Sequence, residues 1–291
     1  MTSTDQAHSV AGATAKAGQA TAPSVAETQS EYLQRLRRDA IRDGFVIWVF
    51  RIGVGVALLA AWEYAARAQM IDTFFFSQPS DVWGFLVQMF SDGSVWRHIG
   101  ATLQSTLIGF FLAVVTAIPF GLLLARFPLL DRICAPYLAA LNALPRVALA
   151  PIFILWFGVG IESKIVLVWS LVFFIILINT EAGVKSADRE LLRLSKVMGA
   201  TQRQIFMKIV LPGAVPSIFA GVRLGVIYSL LGTVVGEMVA AEAGLGQMVS
   251  LFSGTYRTGG VLAVLLLLSL MGVAMNGVML VAEKRLLRWQ D

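Results

Sequence analysis

Apolar positions in this chain come in long unbroken runs, not in the alternations or narrow stripes of a water-soluble core. A helix needs roughly 20 apolar residues to cross the hydrocarbon of a bilayer. Six segments meet or approach that length: residues 46–66, 99–125, 133–157, 165–179, 214–239 and 261–282. The third is interrupted by Pro145 and Pro151, and the fourth is short but extendable through residues 162–164 at the interface. Between the first two, residues 79–90 place Val82, Phe85, Leu86, Met89 and Phe90 at helical spacing. That pattern predicts an amphipathic helix, too short to span, lying on the membrane surface. The whole predicts an all-α fold, a polytopic membrane bundle of about six helices over residues 45–283.

Composition agrees with this. The chain is 57% hydrophobic and 14% charged, where a soluble domain carries about 25% charged residues. Residues 1–29 are rich in Ala, Thr, Ser and Gln and bury too little to offset ordering entropy, so residues 1–44 are expected to be a disordered cytoplasmic segment. Residues 284–291 form a C-terminal cytoplasmic tail. The first apolar run begins too late for a secretory signal and is long enough to span. The basic residues lie between apolar runs, which argues against a nucleic-acid partner and for a membrane.

The distribution of those basic residues predicts orientation. With the N-terminus inside, sixteen of the 23 Lys and Arg fall in inner segments, four in outer segments and three within spans. The positive-inside rule then puts both termini, and the connection from residue 180 to 212, in the cytoplasm of a multi-pass protein of the cell (inner) membrane.

That connection is the longest inner one and reads as two short helices. Leu191, Leu194 and Met198 recur at i, i+3, i+7, with Arg189, Arg193 and Lys196 on the opposite side. Gly199 stands where a helix commonly ends in a residue tolerant of positive φ. Thr201 is placed to cap a second helix whose apolar side is Ile205, Phe206, Ile209 and Val210, and Leu211-Pro212 is expected to end it. Periodicity alone leaves three uses for such a pair: lying on lipid headgroups, packing under its own bundle, or plugging a partner's groove.

The spacing Gly199, Ile209, Leu211, Pro212 resembles the cytoplasmic loop of binding-protein-dependent ABC importer permeases. The family's preceding Glu-Ala-Ala is replaced by Arg193-Leu194-Ser195, while Glu181-Ala182 stands twelve residues too early. Leu144-Pro145-Arg146, Trp156-Phe157-Gly158, Gly221-Val222-Arg223, Val235-Gly236-Glu237-Met238 and Gly244-Leu245-Gly246 extend the resemblance to the permeases for nitrate, taurine, aliphatic sulfonates and thiamine-precursor pyrimidines. The resemblance implies a type I importer fold and a permease homodimer, with cytoplasmic ATPase subunits that hydrolyse ATP and an external substrate-binding protein. It also implies that the loop is a coupling helix, with Leu191, Leu194, Ser195, Met198, Gly199, Ala200, Ile209, Leu211 and Pro212 carrying the coupling. The implied cargo is a small anion (a sulfonate, taurine or nitrate); the alternative within the family is a thiamine-precursor pyrimidine or other small heterocycle.

Arg146, Arg223 and Glu237 fall within predicted spans and are candidates for the translocation path, since charges there are expensive. Arg146 is either a contact for an anion or a structural arginine bonding carbonyls freed by Pro145 and Pro151. Glu237 either lines the outer vestibule or bonds a neighbouring helix. Gly221, Gly225, Gly232 and Gly236 lie along one side of the fifth span, where small residues allow close helix packing, with a symmetry mate among the possible neighbours. There is no Gly-x-x-x-x-Gly-Lys-Ser/Thr, the two histidines are isolated and the one cysteine lies in an apolar stretch. No cofactor, metal or enzyme activity is therefore expected in this chain. The competing classes are an ion-gradient-driven transporter and a membrane-anchored signalling or assembly protein; no clear internal repeat supports the first.

Overall fold

The computed structural model describes residues 25–286, with side chains from Val46 onward. Every regular element among the described residues is helical. α1 (Val25–Arg67) begins inside the segment expected to be disordered. Residues 25–42 are rich in Ala, Glu, Gln, Leu and Arg, good helix formers contiguous with the apolar run, so the helix propagates through them once it is nucleated. The rest of the expected tail, residues 1–24, and residues 287–291 lie outside the described residues. Contacts divide the chain after Tyr64, and the unit beginning at Ala65 holds the remaining elements.

In that unit α2 (Thr73–Phe76) is a single turn capped by Asp72. α3 (Pro79–Ser91) is the expected amphipathic helix, but its Val82, Leu86 and Met89 are buried. Its Phe85 ring meets Phe252 at 5.7 Å. The apolar face therefore packs on protein and not on lipid; the exposed side carries Trp83.

α4 (Ser94–Arg126) is the second spanning helix. α5 (Pro128–Ala143) and the Arg146–Phe157 segment, a 3₁₀ turn (Arg146–Leu149) running into α6 (Ala150–Phe157), meet at a 77° bend. Leu144 is extended there, as the residue before a proline is driven to be. The third predicted span is thus a broken pair. The fourth, α7 (Ile161–Lys185), is longer than the sequence suggests at both ends.

α8 (Arg189–Val197) is the first helix of the loop. α9 (Gln202–Ile205), a π turn (Phe206–Val210) and α10 (Leu211–Val239) form one continuous span of 38 residues. Leu211-Pro212 does not end the second loop helix. The Leu211 N–H bonds back to Phe206 O, and Pro212, which has no N–H to lose, sits in the first turn of α10. α11 (Leu245–Gly254) and α12 (Thr258–Leu286) complete the chain.

The core sits where α4, α7 and α10 meet. Phe110, Ala113, Ala117 and Leu124 pack against Val168, Val172, Ile176 and Leu177, and against Ala214, Ile218, Val222 and Val226. The glycine stripe of α10 belongs to this contact. A Cβ on Gly221 would come 2.6 Å from the Asn179 Cβ, and one on Gly232 2.7 Å from Leu171 Cδ1; Gly225 and Gly236 face Val172 and Leu167. All four of those neighbours are on α7. The stripe brings two helices of one chain together, so the contact with a symmetry mate considered for it is replaced by an intrachain one.

Candidate functional site

The loop end is built by local chemistry. The Asp188 carboxylate accepts from Glu190 N (2.8 Å) and Leu191 N (3.4 Å), capping the start of α8. The helix closes in a Schellman turn: Gly199 N bonds Lys196 O and Ala200 N bonds Ser195 O, each at 3.0 Å. Gly199 has φ of 80°, the left-handed region that a side chain would strain. Thr201 then opens α9 with a reciprocal capping box, its N–H donating to Gln204 Oε1 (2.8 Å) while Gln204 N donates to Thr201 Oγ1 (3.3 Å). The capped first helix, the turn at Gly199 and the second cap at Thr201 are as predicted, while the second helix runs on into α10 instead of ending at Leu211-Pro212.

This arrangement leaves apolar side chains uncovered. Leu191 and Leu194 are exposed, Val197 is 86% exposed and Met198 79%. Ser195 is half-buried, its hydroxyl donating to Leu191 O. Val197 lies beside the i, i+3, i+7 stripe and was not among the residues expected to carry coupling. Ile209, Leu211 and Pro212 are half-buried in the joint between α9 and α10, away from the exposed side. They set the path of the chain from α9 into α10.

Arg146 donates to Leu141 O (3.3 Å) and Asn142 Oδ1 (2.6 Å), and its guanidinium lies 4.1 Å from the centre of the Phe174 ring. Leu141 O is the carbonyl that Pro145, four residues on, leaves without a helical donor. Of its two readings, the geometry matches the structural one. Arg223 makes a bidentate pair with Glu283 of α12. That partner was not anticipated, since Glu283 lies beyond the predicted end of the last span.

Glu237 is 2% exposed. Its Oε2 accepts from Thr102 Oγ1 of α4 (2.9 Å) and from Gly246 N (2.8 Å), while Thr102 Oγ1 itself accepts from Leu245 N (2.8 Å). Gly244 has φ of 140°, and a Cβ there would run into the Glu237 carboxylate. Gly244 N donates to His98 Nδ1 (3.1 Å), and Thr106 Oγ1 donates to Thr233 Oγ1 (2.9 Å) nearby. Glu237 thus ties α10 to α4 and to the turn before α11, as the neighbouring-helix reading requires. It also lines a pocket of about 170 Å³ with Lys164, Gln104 and Ser105. Thr102, His98 and the reason for the glycines were not visible in sequence. Among the described residues no group of three or more His, Cys, Asp and Glu is gathered to hold a metal.

Residues 117–288 match the family described as the binding-protein-dependent transport system inner membrane component. The chain is 36% identical to a riboflavin transport system permease protein of Chloroflexus aurantiacus over 80% of this chain and 87% of that one. It is 35% identical to a formylaminopyrimidine transport permease protein of Halalkalibacterium halodurans (80% and 92%) and 30% identical to the taurine transport system permease protein of Escherichia coli (82% and 88%). A methionine ABC transporter in an inward-facing conformation shares the fold, with a TM-score of 0.56 at 24% identity over 67% of this chain and 94% of that one. The chain therefore belongs to the binding-protein-dependent inner-membrane family, the multi-pass permease components of ABC importers, which are not themselves enzymes.

Proposed function

We propose that this permease couples to a cytoplasmic ATPase through α8, with both termini on the same side, and that it works as a homodimer. A small solute would be handed to it by an external binding protein. The observation that carries the coupling role is the uncovered apolar side of α8, held between a cap at Asp188 and the turn at Gly199. A short amphipathic helix with rigid ends transmits a push from its partner into α7 and α10, which continue from the loop into the core. ATP-driven closure of the partner then tilts the spans as rigid bodies. Gly199→Pro tests this: proline cannot reach φ of 80°. The variant is expected to insert and fold normally but to lose ATP-driven uptake. Uptake at the wild-type rate would sink the coupling role.

For cargo, the geometry supports the heterocycle better than the small anion. The two arginines that would receive an anion within the spans are both engaged, Arg146 with Leu141, Asn142 and Phe174, and Arg223 with Glu283. The relatives that transport riboflavin and formylaminopyrimidine point the same way. The taurine relative keeps the anion as the second reading, one that requires Arg146 to leave Asn142. Uptake by the reconstituted importer separates them: competition by a pyrimidine or flavin and none by a sulfonate is expected, and the reverse order refutes the heterocycle.

A further inference from the structure

α8 has a second side. Arg189, Leu192 and Lys196 recur at i, i+3, i+7, nearly opposite Leu191, Leu194 and Met198. They turn toward the bundle and line a groove of about 440 Å³ whose other walls are the loop-side ends of α4 and α7 and the π turn. Arg126 and Lys185 add two more cations, and no Asp or Glu is among the lining residues. Lys185 is balanced by Asp131 and Glu181. Arg126 lies over the Phe127 ring, at 5.6 Å, and among the described residues no salt bridge is formed by Arg126, Arg189 or Lys196. Phe206 and Val210 supply an apolar floor. Cations over apolar residues, at the ends of spanning helices, complement a phosphate joined to an acyl chain.

We propose that this groove binds the phosphate headgroup of an anionic inner-leaflet phospholipid, which braces α8 against α4 and α7. The proposal rests on the cytoplasmic placement of the loop given above. Its occupant is lipid and not an acidic protein segment, because the groove side of α8 faces the bundle while the docking side faces away. The same charge would also attract free phosphate, so the test must separate the two sources.

The purified full-length permease, in phosphatidylcholine nanodiscs containing a minority of phosphatidylglycerol, is released and weighed by native mass spectrometry. The wild type is expected to retain phosphatidylglycerol over phosphatidylcholine. Removing two cations as Arg189→Gln/Lys196→Gln is expected to weaken that retention about 30-fold, from the attraction of each basic residue to anionic lipid. Arg203→Gln/Lys208→Gln removes the same charge outside the groove and is expected to retain the lipid. Equal loss in both pairs would mean diffuse attraction and would overturn the site, as would no loss in either. Displacement of the lipid by millimolar inorganic phosphate would assign the groove to a free anion. Unchanged lipid retention with reduced ATPase co-purification in the Arg189/Lys196 pair would assign it to protein. If the double variant does not elute as the wild type, Lys196→Gln alone is read, with a loss of about fivefold expected. Because lipid retention is read on the permease without an ATPase, failure of retention leaves the coupling role of α8 standing, and failure of Gly199→Pro leaves lipid retention to be judged on its own.

Discussion

At the end of the bundle away from the loop, Glu237, Thr102, Thr106 and Thr233 are buried and bonded to one another or to backbone. At the loop end, Leu191, Leu194, Val197 and Met198 stand uncovered on a helix capped by Asp188 at its start and by the turn at Gly199 at its end. The first region hides polar groups among apolar helices, and the second exposes apolar groups on a polar loop. A buried carboxylate is costly unless donors meet it; Thr102 and Gly246 N meet Oε2 of Glu237 and so tie α4, α10 and the turn before α11 together, while Oε1 is buried without a hydrogen-bond partner among the described residues. Apolar groups exposed together on a capped helix are the kind of patch that marks an interaction site. One end holds the bundle together, and under the proposed coupling role the other would receive the stroke. Substitutions at the two ends should therefore fall into different classes, stability at the first and coupling at the second.

The largest stability effect is expected from Gly244→Val. The φ of 140° with ψ of 156° lies in a region that is essentially glycine's alone, and the new Cβ would displace the Glu237 carboxylate. Strain of this kind costs about 1–3 kcal/mol before the steric clash is added, so a total loss of about 3 kcal/mol or more is expected. The measurement is the melting temperature of the detergent-solubilised protein. A melting temperature equal to wild type would remove Gly244 from the network.

Thr102→Val comes next. It keeps the shape but deletes the donor to Glu237 and the acceptor for Leu245 N. Leaving a buried N–H without a partner and weakening a bond to a carboxylate is expected to cost about 2 kcal/mol. The same melt checks it, and a loss as large as that of Gly244→Val would mean that the turn depends on the hydroxyl more than on its glycine.

The two ends also differ in how far they could be seen in sequence. The loop was legible because its signals are local: a cap, an i, i+3, i+7 stripe, a glycine at the helix end and a second cap, all within about four turns. What was missed there is a local exception, the π turn that carries the helix through Leu211-Pro212, where proline rules predict a stop. The Glu237 end was not legible because its bonds join residues far apart. Thr102 is 135 positions from Glu237, and His98 is 146 from Gly244. The pairing of Arg223 with Glu283 spans 60 positions and failed for the same reason. Arg146 is the intermediate case: Pro145 announces a freed carbonyl, but neither Asn142 nor the ring of Phe174 follows from it. The glycine stripe showed that α10 approaches something closely, and only the fold identifies that neighbour as α7. Helix extents shifted where a polar pair prolongs a span, as Glu181 and Lys185 do at the end of α7.

The smallest effect on stability, and the one that tests the contrast most directly, belongs to Leu194→Gln. Leu194 is 57% exposed, so trading it for a polar residue of similar length and good helix propensity should change stability by less than about 0.5 kcal/mol. If α8 is a docking helix, the same change removes an apolar anchor from the interface, and truncation of such anchors costs at least tenfold in affinity. Co-purification of the ATPase should fall by about that factor while the melting temperature of the isolated permease holds. Arg193→Gln, on the same helix but off the apolar side, serves as the control for surface change alone. Were Leu194→Gln instead to lower the melting temperature as Thr102→Val does, the loop would be packing within the permease, and the division between a locking end and a receiving end would not hold.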